Sequence, residues 1–307
     1  MNDVEYSFNE LSSEVSYWLM PRLQTVFSAE EKKDKTVEAA EYSLFAGGKR
    51  IRPCIMYASA QMLGLDCNEI LEFAAALEMI HTYSLIHDDL PCMDNDDLRR
   101  GKMTCHIKYG EGIALLAGDC LLNRAYEILL KASSIDHKYA YASYKIAKLA
   151  GICGMIGGQS LDLCSIDKKI DLNDLYKLHS LKTGALMEAA VCTPFFVLNS
   201  DKDIHHVTTD SVLVLLKRLS MHIGLSFQIR DDILDLVSDS ATLGKSIGKD
   251  SRDNKPTFVT ELSYDEACSK LARHIGDCEE ILEIFSTKGY DITMLKTIVH
   301  FLERRNS

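Results

Sequence analysis

The sequence predicts one all-α domain. Three observations carry that expectation. Strand signals are nearly absent, only 5 prolines and 17 glycines interrupt 307 residues, and apolar residues recur at helical spacing in segment after segment. By that periodicity helices are expected over 3–20, 30–46, 53–64, 68–90, 109–131, 137–163, 171–199, 205–238, 263–286 and 289–305. Punctuation sets several boundaries. Gly47-Gly48 can end the second helix, Pro53 fits the first turn of the third, and Gly64 closes it. Asn68 with Glu69 reads as the N-cap of the fourth, and Ser263-Tyr264-Asp265-Glu266 as a capping box. Gly151, Gly154, Gly157 and Gly158 fall within 137–163, and each costs an isolated helix roughly 1 kcal/mol against Ala. That helix is expected either to kink or to lie very close to a neighbour. No linker or short repeat divides the chain, so 1–307 reads as a single domain.

Composition excludes several function classes. A net charge of −11 leaves no dominant basic face, which speaks against a nucleic-acid partner. It permits a local phosphate pocket, which needs only a few placed cations. The ten cysteines show no C-x-x-C spacing, so they read as free, mostly core thiols in a reducing cytoplasm. Met1 to Glu10 is acidic and lacks an apolar run, so no signal peptide is expected. Without 18 consecutive apolar residues, no stable membrane insertion is expected either.

Two acidic clusters end long apolar runs: Asp88-Asp89 with Asp94, and Asp231-Asp232 with Asp235. On a helix Gln228, Asp231, Asp232 and Asp235 fall at i, i+3, i+4 and i+7 and share one face. Like charges at i,i+4 destabilise a helix by a few tenths of a kcal/mol, so massed carboxylates call for a cation. Mg²⁺ takes carboxylate oxygens and is commonly shared with substrate phosphates. In the first cluster His81, Ser84 and Asp88 lie at i, i+3 and i+7, and Pro91 breaks the helix. The acidic segment then wraps the helix end, where Asp88 and Asp94 could reach one site. Arg99 and Arg100 follow, either as surface ion pairs or as bidentate phosphate forks.

Taken in order, the motifs are more specific than any one of them. His81-Thr-Tyr-Ser-Leu-Ile-His-Asp-Asp-Leu-Pro-Cys-Met-Asp-Asn-Asp-Asp-Leu-Arg-Arg-Gly101 closely resembles the first aspartate-rich motif of trans-isoprenyl diphosphate synthases, the polyprenyl synthetase family. Phe227 to Asp235 resembles the second. Gly47-Gly48-Lys49-Arg50-Ile51-Arg52-Pro53, Gly157-Gly158-Gln159-Ser160-Leu161-Asp162, Lys182-Thr183-Gly184 and Asp253-Asn254-Lys255 also match in family order. The chain is most similar to the bacterial-type farnesyl diphosphate synthases.

The resemblance implies the isoprenoid synthase fold, a bundle of long, mostly antiparallel helices around a deep central cavity. It implies a homodimer acting on small-molecule prenyl diphosphates, and about three Mg²⁺ per site. Asp88 and Asp94 would hold two ions and Asp231 a third, with Asp89, Asp232 and Asp235 as indirect or water-mediated partners. Arg99, Lys182, Lys245 and Lys255 would neutralise the allylic diphosphate. Lys49, Arg52, His81 and Arg100 would bind the diphosphate of isopentenyl diphosphate. Thr183, the Lys182 carbonyl and Gln228 would stabilise the carbocation by their dipoles, and released diphosphate would remove the final proton. Taken singly, Lys49 and Arg52 read as solvated turn charges and His81 as a core histidine. His106, His205 and His206 read as structural or surface groups. Arg304-Arg305 is similar to basic tails that cover the site in some relatives, but is expected to be a frayed terminus.

Product length rests on Tyr83, about 7.5 Å before Asp88 along the helix but rotated about 140° from it. An aromatic residue there resembles farnesyl-forming relatives; a small one would point to geranylgeranyl diphosphate. The sequence departs from the family at Met103, where many relatives have Pro. The Gly244–Asp250 loop aligns in two ways, leaving Lys245 and Lys249 both open. A terpene cyclase would not need Lys49, Arg52 and Arg100. A non-catalytic subunit would typically lack one acidic motif, and both are intact.

Overall fold

The computed structural model describes residues 7–166, 168, 170–238 and 256–305. α1 (Phe8–Leu23) opens with a reciprocal Ser7/Glu10 capping box and buries Leu11, Val15, Leu19 and Leu23 along one stripe. α2 (Lys35–Leu44) starts at Asp34, whose carboxylate accepts from the Thr36 N–H. The chain then passes through Gly47 and Gly48, at φ 99° and 111°, into α3 (Ile51–Leu63). Pro53 lies in the first turn of α3, and Gly64 ends it at φ 72°.

α4 (Leu71–Asp88) departs from expectation at its start. A 3₁₀ turn, Cys67–Ile70, precedes it, and the cap is Asp66 rather than Asn68: the Asp66 carboxylate accepts from the Asn68 N–H. Asp and Asn cap equally well, and the sequence offers both.

A short α5 (Cys105–Tyr109) precedes the helix expected over 109–131, which is a single α6 (Glu111–Ile135), and the two meet at Gly110, φ 84°. Three other expected helices are each divided. The segment 137–163 gives α7 (Ala140–Ala150) and α8 (Met155–Ser165). They part at Gly154, where a Cβ would lie 1.9 Å from the Leu149 carbonyl oxygen. α9 (Leu172–Lys182) and α10 (Gly184–Leu198) bend by 49° at Thr183. α11 (Ile204–Thr209) stops before Asp210, and α12 (Ser211–Ser238) continues from it. α13 (Phe258–Glu261) is short, α14 (Tyr264–Thr287) carries the expected Ser263/Glu266 capping box, and α15 (Thr293–Arg304) closes the fold.

Among the described residues the strands are confined to one hairpin. β1 (Leu98–Arg99) pairs with β2 (Lys102–Met103) in the register Leu98↔Met103. Its turn residues Arg100 and Gly101 both take positive φ, 54° and 73°, as a two-residue hairpin turn requires.

α10 lies at the centre. It is apolar on nearly every face and packs against α3, α7 and α12, with α4 also in contact. α12 contacts α14 on another side. By length and composition Ser211–Val237 of α12 could cross a membrane, but 56% of its apolar window is buried within the fold. Two close approaches fix α9, α10 and α12. A Cβ on Gly224 would lie 2.9 Å from the Gly184 Cα, and one on Gly158 would lie 2.1 Å from the Lys182 nitrogen. The glycine-rich segment therefore both breaks, at Gly154, and packs closely, at Gly158.

Gly158 allows a direct test. The atoms that an added methyl would meet are main-chain atoms of α9, which cannot rotate away. Gly158→Ala should cost about 1–3 kcal/mol by overpacking, read as a lower urea midpoint at unchanged slope. Activity should fall with it, since Lys182 and Thr183 move with the backbone. An unchanged midpoint would mean that α8 and α9 separate freely.

Candidate active site

α4 stops at Asp88, and Pro91 turns the chain. The Asp94 N–H donates to the Asp88 carbonyl at 2.8 Å, Asn95 to Leu90 at 3.1 Å, and Asp96 to Asp89 at 3.2 Å. Asn95 takes φ 50°, a conformation that Asn tolerates. The loop thus brings Asp94 back to the helix end, as the sequence suggests.

The carboxylates there are electrostatically strained. Burial pushes the Asp88 carboxyl up to about 6; Lys182 and Arg99 oppose the shift, while Asp94 and Asp89 reinforce it. Asp89 is buried and held by the Arg99 guanidinium at 2.6 Å, which also approaches Asp96 at 3.4 Å. Burial raises Asp89 too, against the pull of Arg99. A cavity lined by Tyr42, Thr82, Ile86, Asp89, Arg99 and Arg100 adjoins this pair.

Lys182, the last residue of α9, donates to Asp162 of α8 at 2.5 Å. Burial disfavours its charge, but Asp162 and Asp88 outweigh that and raise its pKa. The bend that follows exposes a second chain of contacts. Thr183 Oγ1 donates to Gln228 Oε1 at 3.0 Å, Gln228 Nε2 donates to Asp232 Oδ1 at 2.8 Å, and the Phe258 N–H donates to Asp232 Oδ2 at 2.8 Å. Both ends of the Gln228 amide are fixed, and Asp232 is buried as the anchor.

Asp231 lies on the same face of α12 and pairs with Arg305. Arg230 Nε donates to the Arg305 carbonyl at 2.7 Å, and the Arg305 guanidinium lies 4.7 Å from the centre of the Phe227 ring. The expectation of a frayed terminus is overturned. The acidic face of α12 supplies a carboxylate, an aromatic face and a donor that together hold Arg305.

Three of the four residues expected to bind one diphosphate share a single electrostatic environment. Burial lowers Arg52 to about 10, with Glu78 opposing and Arg100 adding to the shift. His81 is held well below its usual pKa by burial and then by Arg52, Arg100 and Arg99. Arg100 donates to the Gly47 carbonyl, and its guanidinium lies over Gly48. Lys49 is exposed, 5.0 Å above the Phe301 ring; burial lowers it, Arg305 adds to this and Asp231 opposes. Lys245, Lys249 and Lys255 lie outside the described residues. Tyr83 is buried on α4, its ring edge-on to His87 at 5.6 Å, and its phenol oxygen has no hydrogen-bond partner among the described residues.

The sequence reading missed Arg50. It is buried at φ 49° and bonds the Glu78 carboxylate and the Leu44 carbonyl, each at 2.5 Å. The available signal was Glu78 itself, a lone charge within the apolar run Phe73–Ile80. His106 and the pair His205-His206 are structural or exposed, as expected: His106 Nδ1 meets the Thr104 hydroxyl at 3.1 Å, and His205-His206 lie on short, exposed α11.

The chain is similar to known proteins in sequence and fold. The family model for polyprenyl synthetase matches residues 33–287. The farnesyl diphosphate synthase of Escherichia coli strain K12 is 41% identical over 273 residues, covering 88% of this chain and 89% of that protein. The crystal structure of a geranyltransferase from Legionella pneumophila superposes with a TM-score of 0.80 at 32% identity, covering 97% and 96% of the two chains. A geranyltransferase from Helicobacter pylori complexed with magnesium and isoprenyl diphosphate superposes with a TM-score of 0.79 at 27% identity, covering 95% and 97%.

Proposed function

The chain belongs to the polyprenyl synthetase family of prenyltransferases, and from that membership we propose that it condenses isopentenyl diphosphate with dimethylallyl or geranyl diphosphate to give farnesyl diphosphate, with Mg²⁺ as cofactor. One observation carries this reading. Two clusters would each suit an anionic substrate group, one around Asp88, Asp94 and Lys182 and one around Arg52, His81 and Arg100. A cyclase acting on one prenyl diphosphate needs only the first.

The donor set suits magnesium. Asp88, Asp94 and Asp231 offer only carboxylate oxygens, the ligands of a hard cation, and a bound cation offsets the burial and the neighbouring carboxylates that raise Asp88. Bound there, Mg²⁺ would neutralise an allylic diphosphate and lower the cost of its departure. The chain's own groups do the rest. Lys182, fixed by Asp162, adds positive charge beside the leaving group, and Arg99 adds more from the hairpin. Arg52 and Arg100 present guanidinium forks to the second diphosphate, and Lys49 approaches from the exposed side. Thr183 and Gln228 hold oxygen lone pairs in a fixed orientation, suited to a carbocation. The cation has to meet the isopentenyl double bond before water reaches it, so the bound substrates must exclude water from the site.

The ionisation of Asp88 gives a pH signature. Its pKa of about 6 in the fold is above the ordinary value of about 3.9, so its contribution to stability is present below about pH 4 and lost as pH rises through about 6. A cation that binds the ionised form recovers that loss. Added Mg²⁺ should therefore raise the Tm more at about pH 8 than at about pH 5. Equal shifts at both would remove Asp88 from the ligand set.

Tyr83 would set product length. Its phenol is buried near Asp88 and Tyr126, which with burial raise its pKa, so the side chain lies between α4 and α6 below the acidic loop. Tyr83→Ala should shift the dominant product from farnesyl to geranylgeranyl diphosphate. An unchanged product ratio would place the floor of the tunnel elsewhere.

We also propose a cytoplasmic homodimer without membrane insertion. Leu115, Leu116 and Leu130 are exposed on one side of α6, with Asp119, Asn123 and Glu127 between them, and a second copy would cover them. Light scattering showing a monomer at assay concentration would refute it. The deciding experiment for function is product analysis with Mg²⁺, isopentenyl diphosphate and, in turn, dimethylallyl, geranyl or farnesyl diphosphate. Farnesyl diphosphate as the main product supports the proposal. Geranylgeranyl diphosphate would keep the mechanism and discard the role of Tyr83, and no condensation would point to a cyclase or a modulating subunit.

A further inference from the structure

His222 of α12 and Asp231 are nine residues apart, about half a turn around the helix and roughly 13 Å along it. His222 therefore faces away from the acidic site, toward α14. There it meets His274 and Asp277, which lie at i and i+3 on one face of α14. Their ligand atoms all fall within 4.8 Å of one another. The two Nδ1 atoms are 2.9 Å apart, and Asp277 Oδ2 lies 3.4 Å from His222 Nδ1 and 4.0 Å from His274 Nδ1.

A tetrahedral zinc ion with bonds of about 2.0–2.1 Å holds its ligand atoms about 3.3 Å apart. The three separations bracket that value, and the side chains need only small rotations to reach it. Hydrogen bonding alone serves the cluster less well. One proton can lie between the two neutral Nδ1 atoms, and the nitrogen that does not carry it competes with Asp277 Oδ2 for that single donor. Both imidazoles are held neutral, the form that binds metal. Burial lowers His274 to about 4, with His222 adding to the shift, and burial lowers His222 with Asp277 opposing. Arg218, Lys270 and Arg273 also bear on these rings. Their positive charge disfavours a hard ion held by charge alone and leaves an ion with real affinity for imidazole nitrogen. Asp277 is one-third exposed, which gives an entry path and room for a water ligand.

We propose that His222, His274 and Asp277 form a second metal site, for a borderline divalent ion such as Zn²⁺, that staples the helix bearing the second acidic motif to α14. The proposal does not depend on the prenyltransferase reading. The probe is Co²⁺ added to the whole protein in excess Mg²⁺, which occupies carboxylate sites. The expected result is one equivalent of Co²⁺ with visible d–d absorption, displaced by Zn²⁺, in the unmodified chain and equally in Asp88→Asn. In His274→Gln the absorption should be lost and the Zn²⁺-induced rise in Tm abolished. Asp277→Asn, at the exposed edge, should weaken Co²⁺ binding at least tenfold and keeps the test valid if His274→Gln does not fold. No absorption in the unmodified chain, thiolate charge-transfer bands, or undiminished binding in both variants would each overturn the proposal.

Discussion

Asp88→Asn should lower kcat by about 10³-fold or more while leaving the far-UV circular dichroism unchanged. The size follows from the proposed role of Asp88, a ligand to a cation that would stabilise the departing diphosphate more in the transition state than in the ground state. The retained fold follows from the same electrostatics. Asp88 is a half-buried carboxylate beside Asp89 and Asp94, and burial already drives its pKa to about 6. A neutral isostere relieves that repulsion, so the Tm without metal should match or exceed that of the parent chain. This pairing of lost turnover with retained or raised stability separates a functional carboxylate from a structural one. Asp231→Asn should lose turnover to a similar degree, but it also releases Arg305, so the C-terminal end of α15 should exchange amide hydrogens faster. Near-normal turnover in either variant would remove that residue from the metal assignment.

The sequence made the helical content and the linear motifs legible, because both depend on residues close together in the chain. Apolar spacing defines a helix within a window of a few turns, and Asp88 to Asp94 is short enough for its loop to be read from Pro91. It concealed whatever interrupts a window without a strong breaker. Thr183 bends α9 from α10 by 49°, yet no proline or paired glycine marks the place. It also concealed pairings between distant charges. Asp162 with Lys182 and Arg305 with Asp231 are long-range contacts set by the packing of α8 on α9 and of α12 on α15. Helical periodicity says which residues face inward, not which inward-facing charge meets which. His222 and His274 were passed over for that reason, since neither belongs to a local motif.

Glu78 is the position where that blindness has the largest consequence for stability. Its carboxylate is buried and bonded to the equally buried Arg50, and its charge also supports Arg52 and Arg100. Three guanidinium groups therefore draw on one carboxylate inside the fold, with Asp231 and Asp89 adding to it at Arg52 and Arg100. Removing one partner of a buried pair leaves an uncompensated charge and costs about 3–5 kcal/mol. Glu78→Gln keeps the shape and removes the charge, so it should lower stability by that amount in urea denaturation. Arg50→Met combined with Glu78→Met removes both charges and should recover much of the loss, although the bond to Leu44 is lost with it. The site adds a second readout. With Glu78 neutral, Arg52 and Arg100 lose the larger of their internal counterions, so an external diphosphate should take its place. Inorganic diphosphate should raise the Tm of Glu78→Gln by more than it raises that of the parent chain. A smaller shift would mean that Glu78 orders the arginines rather than balancing them, and that their readiness for substrate comes from geometry more than from charge.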